Sequence, residues 1–166
     1  MPTTDFGPPE PTPDTTRYEA WLTKQGKPTN GAREDVYKRF GDWGFFDRNP
    51  GAGQFVDRAA LDQSGHVVRN DESADWYVFL SSPDLDAATA LDLVSWLLNA
   101  APAEPSTPGL REPKVKAPTL TKAADGTVTY QGWIHNPQNR MATRITITAG
   151  PSGSAKIVPE PANKVP

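Results

Sequence analysis

The sequence predicts an α+β fold: a small antiparallel sheet packed with two to three helices, followed by a Pro-rich linker and a small all-β C-terminal unit. Three observations carry this expectation. Prolines cluster, residues 83–99 show a broad apolar helical arc, and residues 117–158 alternate between tight turns. Thirteen of the 18 prolines lie at positions 2–13, 102–118 and 159–166. Proline fixes φ and has no backbone donor, so these stretches are excluded from helix interiors and central strands. They read as extended arms and a tether. The expected divisions are an arm over 1–13, an α+β domain over 14–100, a linker over 101–116, a β unit over 117–158 and a tail over 159–166.

The elements follow in order. Thr16 and Glu19 match a capping box, with Tyr18, Trp21 and Leu22 on one face and Gly26 as the stop. A second helix is expected from Ala32 to Phe40, with Val36, Tyr37 and Phe40 inward. Residues 41–53, GDWGFFDRNPGAG, read as an ordered loop. Phe55–Ala60 and His66–Arg69 read as two strands about the turn Asp62-Gln-Ser-Gly65. Trp76-Tyr-Val-Phe-Leu80 is an apolar run of strand length, expected as a central buried strand. Ser82 and Pro83 predict a helix start, with Ser82 as N-cap. The helix through Asn99 has a narrow polar stripe of Asp86, Thr89, Asp92, Ser95 and Asn99, so burial on more than one side is expected. Beyond the linker, Thr119–Lys122 and Thr127–His135 flank a hairpin turn at Asp125-Gly126. Thr143–Thr148 and Ala155–Val158 complete three or four antiparallel strands. Val128, Tyr130 and Ile134 share one face of their strand; Thr129, Gln131, Trp133 and His135 share the other.

Composition excludes some chemistry. The chain has no cysteine, which rules out disulfides and thiolate-held zinc or iron–sulfur sites. The first residues show neither the basic nor the apolar segment of a signal peptide. Polar interruptions in Leu85–Ala101 argue against a membrane span. The net charge of −3 conceals an asymmetry: 14–100 is acidic, while 101–166 is mildly basic. The acidic block argues against nucleic-acid binding by the main domain.

Motifs for catalysis are weak. The two histidines, His66 and His135, lie on different blocks, and no nucleophile elbow accompanies Ser64 or Ser73 near His66. The acids Asp42, Asp47, Asp57, Asp62, Asp71, Glu72 and Asp75 lack the spacing of a calcium loop and read as solvated loop residues. Gly51-Ala-Gly53 lacks the lysine and hydroxyl residue of a phosphate loop. No catalytic, cofactor-binding or metal-ligating residue is assigned, and no cofactor is expected.

Trp21, Trp43, Trp76 and Trp96 are expected in the core. Trp133 stands apart, among polar neighbours on the face that a thin sheet leaves open. Trp133, with Tyr130, His135 and Arg144, is therefore the expected partner-binding set; the simpler reading packs Trp133 on the linker or the main block. The expected function is a non-enzymatic structural or assembly protein of a large complex, a bacteriophage virion component serving in capsid decoration, head–tail connection or the tail. Its partners are protein subunits, with no membrane involved. The expected location is the virion for a viral source and the cytoplasm otherwise. The alternatives are a carbohydrate- or peptide-binding module using Trp133, and a small acid/base enzyme using the acids between 42 and 75.

Overall fold

The structure is a computed structural model that describes residues 12–49, 57–105, 107, 115–135 and 141–161. Most of the expected arm, half of the expected linker, the Gly51-Ala-Gly53 segment, the 136–139 loop and residues 162–166 lie outside the described residues. The fold is α+β, with two antiparallel sheets and a few helices.

Helix α1 (Thr16–Lys24) leads into strand β1 (Ala32–Glu34), a 3-10 turn (Val36–Lys38) and strand β2 (Gly44–Arg48). Strands β3 (Asp57–Leu61) and β4 (Val67–Val68) complete a first sheet in the order β1-β2-β3-β4. Helices α2 (Trp76–Leu80) and α3 (Ala87–Leu97) follow. The second sheet holds β5 (Ala101–Ala103), β6 (Thr119–Lys122), β7 (Val128–His135), β8 (Ala142–Ala149) and β9 (Ala155–Pro161). Its order is β5-β7-β8-β9, and β6 pairs with β7 on the same side as β5, further along the strand.

The layers are legible from side-chain alternation. Phe45 and Ala60 point from the first sheet into the main core, whereas Phe46, Ala59 and Leu61 point to the other face. That second face is covered by Tyr18 and Leu22 of α1, with Tyr18 stacked on Phe46 at 5.3 Å. The main core continues through Trp76 and Phe79 of α2 and Leu93, Val94 and Leu97 of α3. It ends on Val128, Tyr130, Ile145, Ile147 and Ala149 of the second sheet. Helices α2 and α3 therefore lie between two sheets, which accounts for the broad apolar arc on α3. Full burial of each large side chain here contributes about 1.5–3 kcal/mol.

Several local expectations are corrected. Trp76–Leu80 is helical: Trp76, Phe79 and Leu80 are its buried residues, the spacing of one helix face, while Tyr77 and Val78 are half-buried. A five-residue apolar run satisfies both periods, so neighbours decide between them. Residues 32–40 form β1 and the 3-10 turn in place of a helix, because β1 pairs with β2 and sets Arg33 opposite Asp47. Residues 44–48, expected in a loop, are β2; its first four residues are buried because both faces are covered. Helix α3 starts later than expected. Asp86 is its N-cap, accepting from the Thr89 N–H at 2.7 Å, and Ser82 lies in the preceding turn. At the other end Asn99 adopts φ 57, with Ala100 N–H donating to Ser95 C=O and Asn99 N–H to Trp96 C=O. This Schellman closure satisfies the last carbonyls and turns the chain directly into β5. The α1 cap is shifted by one residue to Thr15, whose hydroxyl bonds the Glu19 carboxylate. Residues 101–103 and 159–161, expected in the linker and the tail, are strand.

Candidate interaction surfaces

The outer face of the second sheet is the expected partner site. Trp133 does project from the face of β7 opposite Tyr130, but it is only 3% exposed. Ala103, Val115 and Ala142 pack around it. Ala103 sits directly opposite Trp133 on β5, and Val115 comes from the end of the expected linker. Tyr130 is fully buried in the main core, and its hydroxyl has no hydrogen-bond partner among the described residues. Burial pushes its phenol pKa upward. The two rings face opposite ways and do not form one exposed patch. Arg144 is half-buried opposite Trp133 and donates to Glu160 at 3.0 Å. His135 ends β7, half-buried, and its Nδ1 has no partner among the described residues. No local sequence signal marks this cover, because Ala103 and Val115 lie 30 and 18 positions before Trp133.

A second surface was not legible. The root of the N-terminal arm is fastened to the first sheet. Arg39 Nη2 donates to the Thr12 carbonyl at 2.7 Å, and the Asp14 N–H donates to Glu34 Oε2 at 2.7 Å. Glu34, almost fully buried, also holds Arg39 through two bonds of 2.8 and 3.0 Å. Beside this root the 3-10 turn presents Tyr37, which is 80% exposed. The turn is fixed by Asp35, which accepts from the Tyr37 N–H at 3.1 Å, and by Lys38, which pairs with Asp92 of α3 at 3.3 Å. A rigidly held, open aromatic loses little entropy on being covered.

The acids around His66 do come together. Asp62 Oδ2 lies 2.7 Å from His66 Nδ1, and Asp62 Oδ1 accepts from the N–H groups of Ser64 and His66. The hydrogen bond to Asp62 raises the His66 pKa, opposed by desolvation and helped by the charges of Asp62, Asp75 and Asp42. Asp62 could orient the imidazole as an acid does in a catalytic triad, but among the described residues no hydroxyl bonds the ring. Asp42 and Asp75 accept from the backbone N–H groups of Gln63 and Val67. All three carboxylates hold the β3–β4 turn. Among the described residues, no group of three His, Cys, Asp or Glu side chains could hold a metal ion.

Sheet edges form the last class of surface, and register shows which backbone groups face outward. The Ala123 N–H donates to the Thr127 carbonyl at 2.8 Å, so Thr121 and Thr119 face β7 while Leu120 and Lys122 face out. By the same parity Ala101 and Ala103 face β7 and Pro102 faces out. On the opposite edge the Ile157 N–H points outward, to Glu72 Oε2 at 2.8 Å. Pro159 and Pro161 share its parity, so the donors that they lack are outward ones. In the first sheet the outward N–H and C=O of Val67 are both taken by Asp75. Proline and capping side chains thus close edges that would otherwise pair with another chain. The outward groups of Leu120 and Lys122, and those of Ala155 at the start of β9, carry no bond among the described residues. Next to Leu120 lies a cleft of about 250 Å³ between β6 and the α2–α3 turn.

No protein-family model matches the chain, no curated protein matches it, and no solved structure matches it. Among the described residues, no helix is long and apolar enough to cross a membrane.

Proposed function

We propose that the protein is a non-enzymatic structural component of a large protein assembly, in the form of a bacteriophage virion protein that joins neighbouring subunits through its arm. The supporting observation is the fastened arm root: Thr12 and Asp14 are bound to the Glu34–Arg39 pair, on the element that carries exposed Tyr37. The expected arm, residues 1–13, is rich in proline and poor in apolar residues, a composition that suits contact with a neighbouring subunit. In this reading Val115, at the end of the expected linker, covers Trp133, and the C-terminal β unit braces the body. The carbohydrate-module reading needs an open Trp133 ring, and that ring is covered. The test is sedimentation of native particles from the source. Recovery of the chain in the particle fraction at a fixed copy number is expected. A chain found only as a free, monomer-sized species would refute the proposal.

A further inference from the structure

We propose that the cleft between the β6–β7 and β8–β9 turns binds a neutral saccharide. The inference goes beyond the assembly reading and does not involve Trp133. The cleft measures about 580 Å³, a size typical of small-molecule sites. It lies at the end of the second sheet where Asp125-Gly126 and Gly150-Pro-Ser-Gly153 turn the chain. Both walls are fixed. In the first turn the Gly126 N–H donates to the Ala123 carbonyl at 3.0 Å, and the Ala123 N–H to the Thr127 carbonyl at 2.8 Å. In the second the Gly153 N–H donates to the Gly150 carbonyl, and the Gly150 N–H to the Ser154 carbonyl, each at 3.0 Å. The turns also touch: a Cβ on Gly126 would lie 3.0 Å from Pro151 Cγ. A cleft formed in advance loses little entropy when a ligand enters.

The lining selects the ligand. Four hydroxyl residues line the cleft, Thr127, Thr148, Ser152 and Ser154, with one carboxylate, Asp125, and one ammonium, Lys156. The two charges cancel, so neither an anion nor a cation gains from the cleft as a whole. A single carboxylate is too few for a hard cation. An apolar ligand would displace water from these groups and return no hydrogen bond. A saccharide matches them, because each of its hydroxyls both donates and accepts. Asp125 Oδ1 already accepts from the Thr127 N–H at 3.0 Å. Its Oδ2 carries no bond among the described residues and accepts from a sugar hydroxyl. Hydrogen bonds from Thr127 hold the Asp125 carboxyl below its usual range, so it is ionised at neutral pH. The exposed Lys156 ammonium donates to a sugar oxygen. The Ser152 and Ser154 hydroxyls, 3.5 Å apart, take either role. Thr148, Thr129 and Thr121 lie side by side across β8, β7 and β6. Their row extends the hydroxyl surface from the cleft by about 10 Å, two strand spacings.

The test is an NMR titration of the ¹⁵N-labelled full chain with maltose, lactose and N,N′-diacetylchitobiose, each taken to millimolar concentration. At least one of the three is expected to shift the amides of Thr127, Ser152 and Lys156 saturably. Asp125→Asn keeps an acceptor for the Thr127 N–H and removes the charge. It is expected to weaken that binding about fivefold, with the melting temperature little changed. Thr148→Val keeps a β-branched residue in the strand and removes one hydroxyl, and about a threefold loss is expected. The absence of a saturable shift with all three sugars overturns the proposal. Shifts centred on His135 or Tyr37 overturn it too, as does wild-type affinity in both variants. Inorganic phosphate is the counter-probe. Saturable phosphate binding that is lost in Lys156→Ala, with no sugar binding, makes the cleft an anion site and overturns the saccharide assignment. Recovery of the chain in native particles tests the assembly reading separately, so failure of one leaves the other standing.

Discussion

Gly132 has no side chain because Tyr130 occupies the space where one would go. A Cβ at that position would lie 2.0 Å from the Tyr130 hydroxyl and 3.3 Å from a Leu91 methyl. The same arrangement recurs in β2, where a Cβ on Gly44 would meet the Phe46 ring at 2.8 Å. In both strands a ring lies back over the glycine two residues away. Gly132→Ala is expected to destabilise by about 2–3 kcal/mol through overpacking of a core that has no room to give. Chemical denaturation measures this, and an unchanged midpoint would show that Tyr130 moves freely. His66 supplies a pH signature. Its folded pKa is raised above the ordinary 6.5 by the bond to Asp62. The stabilisation is therefore fully present below about 6.5 and is lost as pH rises through the folded value. The ring is 41% exposed, so solvent screens the effect and keeps it small. NMR titration should place His66 above 6.5 in the wild type and lower in Asp62→Asn. Identical titration curves would discount the pair.

At the scale of elements, proline has two meanings in this chain. In the sequence it marks arms and linkers, and in the structure it also marks edge strands. Pro102 on β5 and Pro159 and Pro161 on β9 sit where the missing donor faces away from the sheet. The ladder with β8 therefore loses no donor at Pro159 or Pro161, and the outer row loses two. The double variant Pro159→Thr/Pro161→Thr should restore those outward donors beside Ile157. Light scattering at raised concentration is expected to show faster aggregation than wild type, with the melting temperature little changed. Equal scattering would mean that Glu72 alone protects this edge. The helices follow a related logic. The limits of α3 were set by Asp86 and Asn99, both read from the sequence as part of a polar stripe. Their roles as caps depend on backbone geometry that local composition leaves open.

The whole molecule is arranged as α1, the first sheet, the α2–α3 layer and the second sheet, with Val115 over the last face. The main core draws on residues from both 14–100 and 117–158. Neither sheet completes that core without the helices between them. Unfolding should accordingly be one cooperative transition, with the signals of Trp43 and Trp133 lost together. Leu91 on α3, 1% exposed, faces the gap left by Gly132. Leu91→Asp should cost roughly 3 kcal/mol or more by burying an unpaired charge, and it should lower the stability of both sheets alike. Two separate melting steps in the wild type would show that the layers fold independently.

The sequence by itself determined the features that rest on local period and turn chemistry. These are α1 with its Gly26 stop, the β3–β4 hairpin, the long amphipathic stretch that holds α3, and the hairpins of β6 to β9. Each carries its signal within a few residues, because glycine at positive φ and side-chain alternation act over that range. Tertiary structure decided the rest. Trp76–Leu80 became helix because its neighbours cover one helical face, although five apolar residues fit a strand equally well. Residues 32–34 and 44–48 became strands only by pairing with each other and with β3. Trp133 went inside because Ala103 and Val115, 30 and 18 positions earlier, came to lie over it. The arm root depends on Glu34 and Arg39 meeting Thr12 and Asp14, a contact that no short window contains. Burial and edge pairing are properties of two surfaces, and one segment of sequence describes only one of them.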